Sequence, residues 1–449
     1  MRNDISLRQR ALELIVLLRA QIITPAFCRR HRRHPADFTR ERKLTFPILM
    51  LLLLQKSLKS LQTHAHEFFF QLQQGLPSQS VSASALTHGR AKLQATAFVE
   101  LNRTVLDTVY GQTHGALVQR WLGHRLLGVD SSLVRFPSSD ALGEHFGWVQ
   151  CVNRHGLQER YPQARVSVLY DVLNEVAVEG RLAASTVAET AMAHEHLAAV
   201  QPGDVLINDR GYTGYGWFAA VRSVQAHFVS RCSKGSFAAV QELFARDEAG
   251  VSRIVTLPAP PSCRVVLREG GWPLELVVRL VTVRLSTGEL EVLATSLLEE
   301  TVYSADALAA VYWERWGHET YYGRLKGRLD LEHSSGQTVA AVKQDFHATV
   351  LLSNVESVVI GPARERLAVR SVTRKQPAQV NRAVSVHAIK HRLIELLSSR
   401  VSAERVLSEL TEWFVANPVS VRPGRKVERR ESSPARSYHF QRRVRKLVF

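Results

Sequence analysis

Cysteine is scarce in this chain of 449 residues: Cys28, Cys151, Cys232 and Cys263 lie far apart, with no CxxC pair. That spacing excludes the common zinc ribbons and fingers and offers no disulfide framework, so a reducing, cytoplasmic setting is expected. The histidines form neither an HExxH nor a C2H2 pattern. Long apolar runs are missing too. The longest, Phe46 to Leu54, is too short to span a bilayer and too far from the start for an ordinary signal peptide. Pro47 suits a first helical turn, so this run reads as a buried helix and no membrane partner is expected. Acidic residues are also in deficit, 41 Asp and Glu against 58 Lys and Arg, for a net charge of +17 and a pI near 10.1. Such a surplus favours a polyanion, nucleic acid first, with a ribosome-associated or membrane-surface role as the alternative. The hydrophobic share of 45% argues against extensive disorder, and the length calls for two or three domains.

What is present divides into three regions. Residues 1–122 read as an all-helical N-terminal domain that binds DNA. Leu44–Leu72 and Ser84–Leu122 carry apolar residues at helical spacing, parted by the breaker cluster at residues 75–80. Basic residues crowd Arg29 to Lys43, and two readings fit them: contact with a DNA backbone, or a solvated loop. Residues 123–362 read as α/β with a mixed sheet. Leu126–Phe136 is a strand; Arg165–Val172 and Glu175–Leu182 form a hairpin; Asp204–Asn208 and His227–Arg231 are strands. Helices are expected over Ser185–Val200 and Tyr215–Val224. Residues 234–298 break the alternation as a β-rich insertion, with strands expected over Val251–Leu257, Cys263–Leu267, Leu274–Leu285 and Glu291–Leu297. One long helix is then expected over Ala305–Leu331, and another over Val339–Ile360. Residues 363–449 are basic, with helices over Ala388–Leu397 and Ala403–Ala416. The tail from Arg422 to Lys446 is either solvated and disordered or DNA-binding.

The chemistry concentrates near residue 320. Tyr312, Arg315, Glu319 and Lys326 follow the spacing Y-x2-R-x3-E-x6-K, and offsets of three, four and seven return to one face of a helix. A carboxylate there can hold a divalent metal, while Arg and Lys beside it can hold phosphate oxygens. Two further acids stand out. Asp130 interrupts the apolar strand Leu127–Phe136, where a charge is expensive unless paired or metal-bound. Asp209 ends the strand Val205–Asn208, where open α/β sheets place their sites. Alone, each has an ordinary structural explanation: a turn or cap for the aspartates, a helical ion pair with Arg315 for Glu319. Converging at one sheet edge, they could hold two Mg2+ ions about 3.5–4 Å apart.

These segments resemble the IS4 group of bacterial insertion-sequence transposases, DDE enzymes whose third acid lies in the Y-x2-R-x3-E-x6-K signature. All four signature residues are present, Asp209-Arg-Gly-Tyr212 is similar to the segment around the second acid, and Val129-Asp-Ser-Ser132 to that around the first. The resemblance covers roughly residues 40–360. It implies an RNase H-like core interrupted by a β-insertion, with Asp130, Asp209 and Glu319 as catalytic metal ligands for Mg2+, which Mn2+ can replace. It implies Tyr312, Arg315 and Lys326 as phosphate contacts. Some relatives form a DNA hairpin and stack a flipped base on tryptophan, which makes Trp272 and Trp316 candidates; a core role is the alternative for each. Arg210 and Tyr212 would position phosphate or the sheet edge, or serve structure alone.

The resulting expectation is a Mg2+-dependent transposase. It would cleave at its element's terminal inverted repeats and join the 3′-hydroxyl to target DNA, with no covalent protein–DNA intermediate. Two ends must be handled together, so a homodimer on double-stranded DNA is expected, in the cytoplasm at the nucleoid. Two rivals remain: a transposase-derived protein that binds DNA without catalysis, and an RNase H-like nuclease that cuts without joining.

Overall fold

The computed structural model describes residues 6–40, 42–73, 80–152, 156, 158–285 and 287–421. The breaker cluster at 75–80 lies largely, and the basic tail from Arg422 entirely, outside them. The chain forms two compact units, and neither is continuous in sequence. One draws on residues 1–118, 134–164 and 324–449; the other on 119–133 and 165–323.

The first unit is largely helical. Leu7–Ile23 starts under a Ser6 cap, whose hydroxyl accepts the Gln9 N–H at 3.2 Å. Pro25–His31, Phe46–Gln55, Leu61–Leu72, Ala83–Arg90 and Thr96–Tyr110 follow. The expected helical stretch over Leu44–Leu72 is divided at Lys56, whose φ of 32° no continuous helix accommodates. Val339–Val359 is the unit's central helix. From Ala341 onward nearly every residue is buried, polar ones such as Gln344, Asp345, Asn354 and Glu356 included. It packs on Thr96–Tyr110, Phe46–Gln55 and Leu7–Ile23. Its buried Asp345 is not left uncompensated: Arg90 Nη2 lies 2.7 Å away, and the Ser335 N–H donates at 2.7 Å. Helices Gly361–Ser371, Arg382–His391, Leu393–Leu397 and Ala403–Ala416 complete the unit, so a C-terminal region enters the same core as the N-terminal helices. No single described helix is long and apolar enough to cross a membrane. Leu7–Ile23 and Pro25–His31 meet length and composition only as a pair bent by 69°.

Among the described residues the strands, numbered in chain order, include β1 Leu126–Arg135, β2 Trp148–Val152, β3 Gln158–Asp171, β4 Val176–Ala184, β5 Val205–Asn208, β6 His227–Arg231, β7 Ser252–Pro258, β8 Glu275–Arg284 and β9 Leu290–Thr295. Within the first unit, β2 pairs antiparallel with the opening half of β3. Within the second, the order is β4-β3-β1-β5-β6-β9-β8-β7. β1, β5 and β6 are parallel neighbours; β9, β8 and β7 continue antiparallel. The sheet is mixed, as the sequence leads one to expect. Helices Glu189–His196 and Tyr215–Ser223 connect its strands, and Phe218 stacks on Phe228 of β6 with centroids 4.0 Å apart.

Several expectations need correction. Residues 234–298 hold β7, β8 and β9 but open on helix Ala238–Arg246, and the strand expected over Cys263–Leu267 is instead a 3-10 turn running into helix Arg264–Glu269. Pro260 and Pro261 preset helical φ there, while Val265 and Val266 are exposed, so β-branching misled about a surface helix. The single helix Ala305–Leu331 is two, Ala305–Trp313 and Trp316–Gly327. Through the join the bonds tighten to i→i−3, from Glu314 N to Val311 O (3.1 Å) through His318 N to Arg315 O (2.9 Å). Ala388–Leu397 likewise divides at Arg392, into Arg382–His391 and Leu393–Leu397. The helix expected over Ser185–Val200 covers only Glu189–His196, then a 3-10 turn.

Candidate active site

β1 and β5 pair in parallel through Leu126–Val205, Leu127–Leu206 and Gly128–Ile207. The same register, carried two residues further, brings Asp130 level with Asp209 at the C-terminal end of the parallel strands. Adjacent strands lie about 4.8 Å apart, so the first two acids are neighbours by topology. Asp130 is held through its backbone: its carbonyl accepts the Tyr322 hydroxyl at 2.9 Å and the Ser167 hydroxyl at 3.2 Å. Its carboxylate accepts the Ser131 N–H at 2.7 Å. Burial pushes the Asp130 carboxyl up to about 6; the Ser131 N–H opposes this, Glu189 adds to it, Arg315 opposes and Glu319 adds.

The third acid comes from a helix packed against β1 at Gly128. Gly128 is needed for that approach, because a Cβ there would stand 2.8 Å from His318 Nδ1. His318 is fully buried and stacks on Tyr322 with centroids 5.3 Å apart and planes 7° off parallel. Burial pulls its pKa down to about 3, so it packs as a neutral ring. The next residue is Glu319, whose carboxylate accepts Arg315 Nη1 at 3.1 Å. Tyr312 directs its hydroxyl to Asp209 Oδ1 at 3.4 Å, and Arg315 lies 5.7 Å from the Tyr312 ring. Arg315 is thus within electrostatic reach of Asp130, Asp209 and Glu319 together. Burial alone would lower its pKa, but Tyr312, Asp209 and Glu319 outweigh that and raise it.

Other residues singled out in the sequence are distributed more widely. Arg210 is exposed on the 3-10 turn after Asp209. Tyr212 is buried, with its hydroxyl against Ser131. Burial, then the charges of Asp130 and Glu189, drive its pKa up against Arg165 and Ser131. Trp316 is 40% exposed beside Arg315 and stacks on Trp313, itself 55% exposed, with centroids 6.3 Å apart. Trp272 instead packs on the core of the second unit and lies parallel to His194 at 6.5 Å. Lys326 follows Glu319 by two helical turns; it belongs to the first unit, where it faces Glu332 at 3.5 Å. Sequence reasoning missed Ser131, Arg165, Glu189, His318 and Tyr322, all in the second unit. A glycine two residues before Asp130 was the one legible hint of a close approach there.

Among the described residues, no three Asp, Glu, His or Cys side chains are gathered tightly enough to hold an ion together. The donor chemistry nevertheless fits a hard divalent cation. Three carboxylates reach one guanidinium, which carries the positive charge that such an ion would bring.

Asp130 within β1, Asp209 just after β5 and Glu319 on a helix thus lie about one arginine. Residues 121–355, more than half of the chain, match the family described as the transposase DDE domain, and the chain belongs to that family. A curated relative from Sinorhizobium fredii (strain NBRC 101917 / NGR234), named "Putative transposase y4zB", is 26% identical over 153 residues. That alignment takes in 34% of this chain and 42% of the relative, so the chain spans less than half of the relative's length. Among solved structures, the cryo-EM piggyBac transposase synaptic complex with hairpin DNA aligns over 96% of this chain and 89% of that one, at 10% identity and a TM-score of 0.44.

Proposed function

We propose that the protein is a DDE transposase of the IS4 group with an RNase H-like core. In this reading it cleaves at the inverted-repeat ends of its element and transfers the freed 3′-hydroxyl to target DNA, without a covalent protein–DNA intermediate. The supporting observation is the gathering of Asp130, Asp209 and Glu319 around Arg315, with the aspartates level on adjacent parallel strands. The layout β1, β3, β4, helix, β5, helix, β6 agrees with such a core.

Asp130, Asp209 and Glu319 are the residues that would hold Mg2+, or Mn2+ in its place. Bound there, such ions make an oxygen nucleophile acidic and neutralise charge on the leaving oxygen. The chain's own part is positioning. Tyr312 aligns Asp209 by its hydroxyl, and the Tyr322 and Ser167 hydroxyls fasten the backbone at Asp130. Arg315 offers a planar fork suited to a phosphate, and Lys326 and Arg210 supply further cations for the DNA backbone. The exposed Trp316 face beside Arg315 suits an unstacked base. Tyr212, buried next to Asp130, shapes the sheet edge, and Trp272 is held against His194.

A second DNA-facing surface lies in the helical unit. Arg29, Arg33, Arg40, Arg42 and Lys43 are exposed, and among the described residues no ion pair engages them. Their loop is ordered: Arg33 N donates to Lys92 O and Gln94 N to His31 O, both at 2.8 Å. Phe38 packs edge-on against Phe46 with centroids 5.4 Å apart. An ordered basic loop suits phosphate contacts at the element's ends. Action at two ends calls for a homodimer on DNA, and the setting is the cytoplasm at the nucleoid.

The test is incubation with Mg2+ and DNA carrying the cognate ends. Cleavage with joined product is expected from the wild type. Glu319→Ala should bind ends yet neither cut nor join. Binding alone from the wild type would favour the non-catalytic rival, and cutting without joining the nuclease. Cleavage that survives Glu319→Ala refutes the assignment.

A further inference from the structure

One carboxylate in the second unit stands against the site without belonging to the acid signature. Glu189 is the first residue of the helix Glu189–His196, which connects β4 to β5. Its Oε2 accepts the Ser131 hydroxyl at 2.8 Å, next to Asp130. Its Oε1 lies 3.3 Å from where a Cβ on Gly211 would stand, two residues past Asp209. A single side chain therefore touches both acid-bearing segments, and the glycine leaves room for it. Arg165 from β3 closes the group: its Nη1 donates to the Ser131 hydroxyl at 3.0 Å and sits 3.7 Å from Glu189 Oε2.

The Tyr212 side chain, 4% exposed, belongs to the same group: its hydroxyl lies against Ser131 and within electrostatic reach of Asp130, Glu189 and Arg165. Glu189 itself keeps 40% of its side chain exposed, which leaves it open to a cation.

We propose that Glu189 is a fourth acidic residue of the site, which strengthens divalent-cation binding at Asp130 while fixing Ser131 and Arg165 beside it. This rests on the reading of Asp130 as a metal ligand. The reason is electrostatic. A fixed negative charge beside a ligand carboxylate deepens the potential felt by a dication, and nothing in the signature spacing supplies that charge on this side. Hydrogen bonding through Ser131 and the ion pair with Arg165 hold Glu189 in position without neutralising it fully. Glu189 acts through Asp130 and the bound cation, as a positioning residue.

Mn2+ titration of the full-length protein, followed by the loss of free-Mn2+ electron paramagnetic resonance signal, tests this. Glu189→Gln retains an acceptor for the Ser131 hydroxyl and removes only the charge. It should weaken Mn2+ binding by roughly tenfold to a hundredfold, the range for outer-layer partners of a metal site. Binding of end DNA and the thermal midpoint should stay close to wild type, and Glu189→Asp should recover part of the affinity. Mn2+ binding unchanged in Glu189→Gln overturns the proposal, because a purely structural role tolerates glutamine. Asp130→Asn is measured alongside. If it too leaves Mn2+ binding unchanged, the parent reading of Asp130 fails; if it alone weakens binding, only the role of Glu189 does.

Discussion

Asp130→Asn should make the metal-free protein more stable at neutral pH, although the substitution is expected to abolish activity. Burial holds the Asp130 carboxyl up at about 6 in the folded chain, against an ordinary 3.8. The folded state therefore binds a proton more readily than the unfolded chain between those values. Stability falls as pH rises through that window, and the full penalty applies above about 6. At 1.36 kcal/mol per pH unit it amounts to about 3 kcal/mol at pH 7.5 and about half that at pH 5. Asparagine carries no charge to desolvate, and its Oδ1 can still accept the Ser131 N–H. Urea unfolding in EDTA at both pH values reads the difference. The variant should be more stable by about 3 kcal/mol at pH 7.5, the gap should roughly halve at pH 5, and added Mn2+ should raise only the wild type. A variant less stable than wild type at pH 7.5, or a gap that does not narrow with acid, would show that Asp130 is not held charged against its surroundings.

Gly128→Ala drives a methyl to 2.8 Å from His318 Nδ1, so overpacking of about 1–3 kcal/mol is expected in thermal unfolding. Because Glu319 follows His318, end cleavage should fall more steeply than end binding; equal losses would count against a precise contact there. Asp345→Asn leaves Arg90 buried without its counter-charge, which costs about 3–5 kcal/mol by denaturant unfolding. The Asp345 carboxyl is lowered, despite burial, chiefly by Arg90, so its contribution is present above the ordinary carboxylate pKa and is lost as pH falls through the folded value; a variant deficit that persists at the acid end would refute this. Substituting Arg33, Arg40 and Lys43 together by Ala should weaken end binding and reduce the slope of log K against log salt by about 0.9 per lost phosphate contact, as filter-binding titrations would reveal. An unchanged slope would assign that loop to solvent.

The third acid and its arginine were legible because their relation is local. Glu319 follows Arg315 by four residues, about one helical turn, and that local spacing joins them even though Arg315 lies in the break before the helix Trp316–Gly327. The strand ends were legible for a similar reason: an aspartate inside or just after an apolar run is conspicuous. Their mutual register was not. That Asp130 stands level with Asp209 depends on a pairing between segments 79 residues apart, and no spacing rule contains it. Glu189 was illegible for the opposite reason, since an acid in the first turn of a helix is ordinary in any sequence. The strand expected at Cys263–Leu267 failed because β-branched residues there face solvent, where propensity decides little and a proline pair decides more. A helix over Val339–Ile360 was readable from its spacing, but its helical neighbours from both ends of the chain were not, because helical spacing names no partner.

The signature is best understood through charge. Two carboxylates about 5 Å apart repel by about 3 kcal/mol at an effective dielectric of about 20, and Asp130 stands within the field of Glu319. Without a cation they need a resident one. Arg315 meets that need: it is 8% exposed, bonded to Glu319, and close enough to Asp130 and Asp209 for each pair to feel the other. Tyr312 relieves Asp209 further by donating to it, without adding a charge of its own. The spacing of Tyr312 and Arg315 ahead of Glu319 therefore does two things at once. It keeps three acids assembled in the absence of metal, and it stores beside them a guanidinium whose fork suits the phosphate on which they would act. A lysine at 315 would supply the charge but not the planar fork, so Arg315→Lys should preserve folding better than it preserves end cleavage.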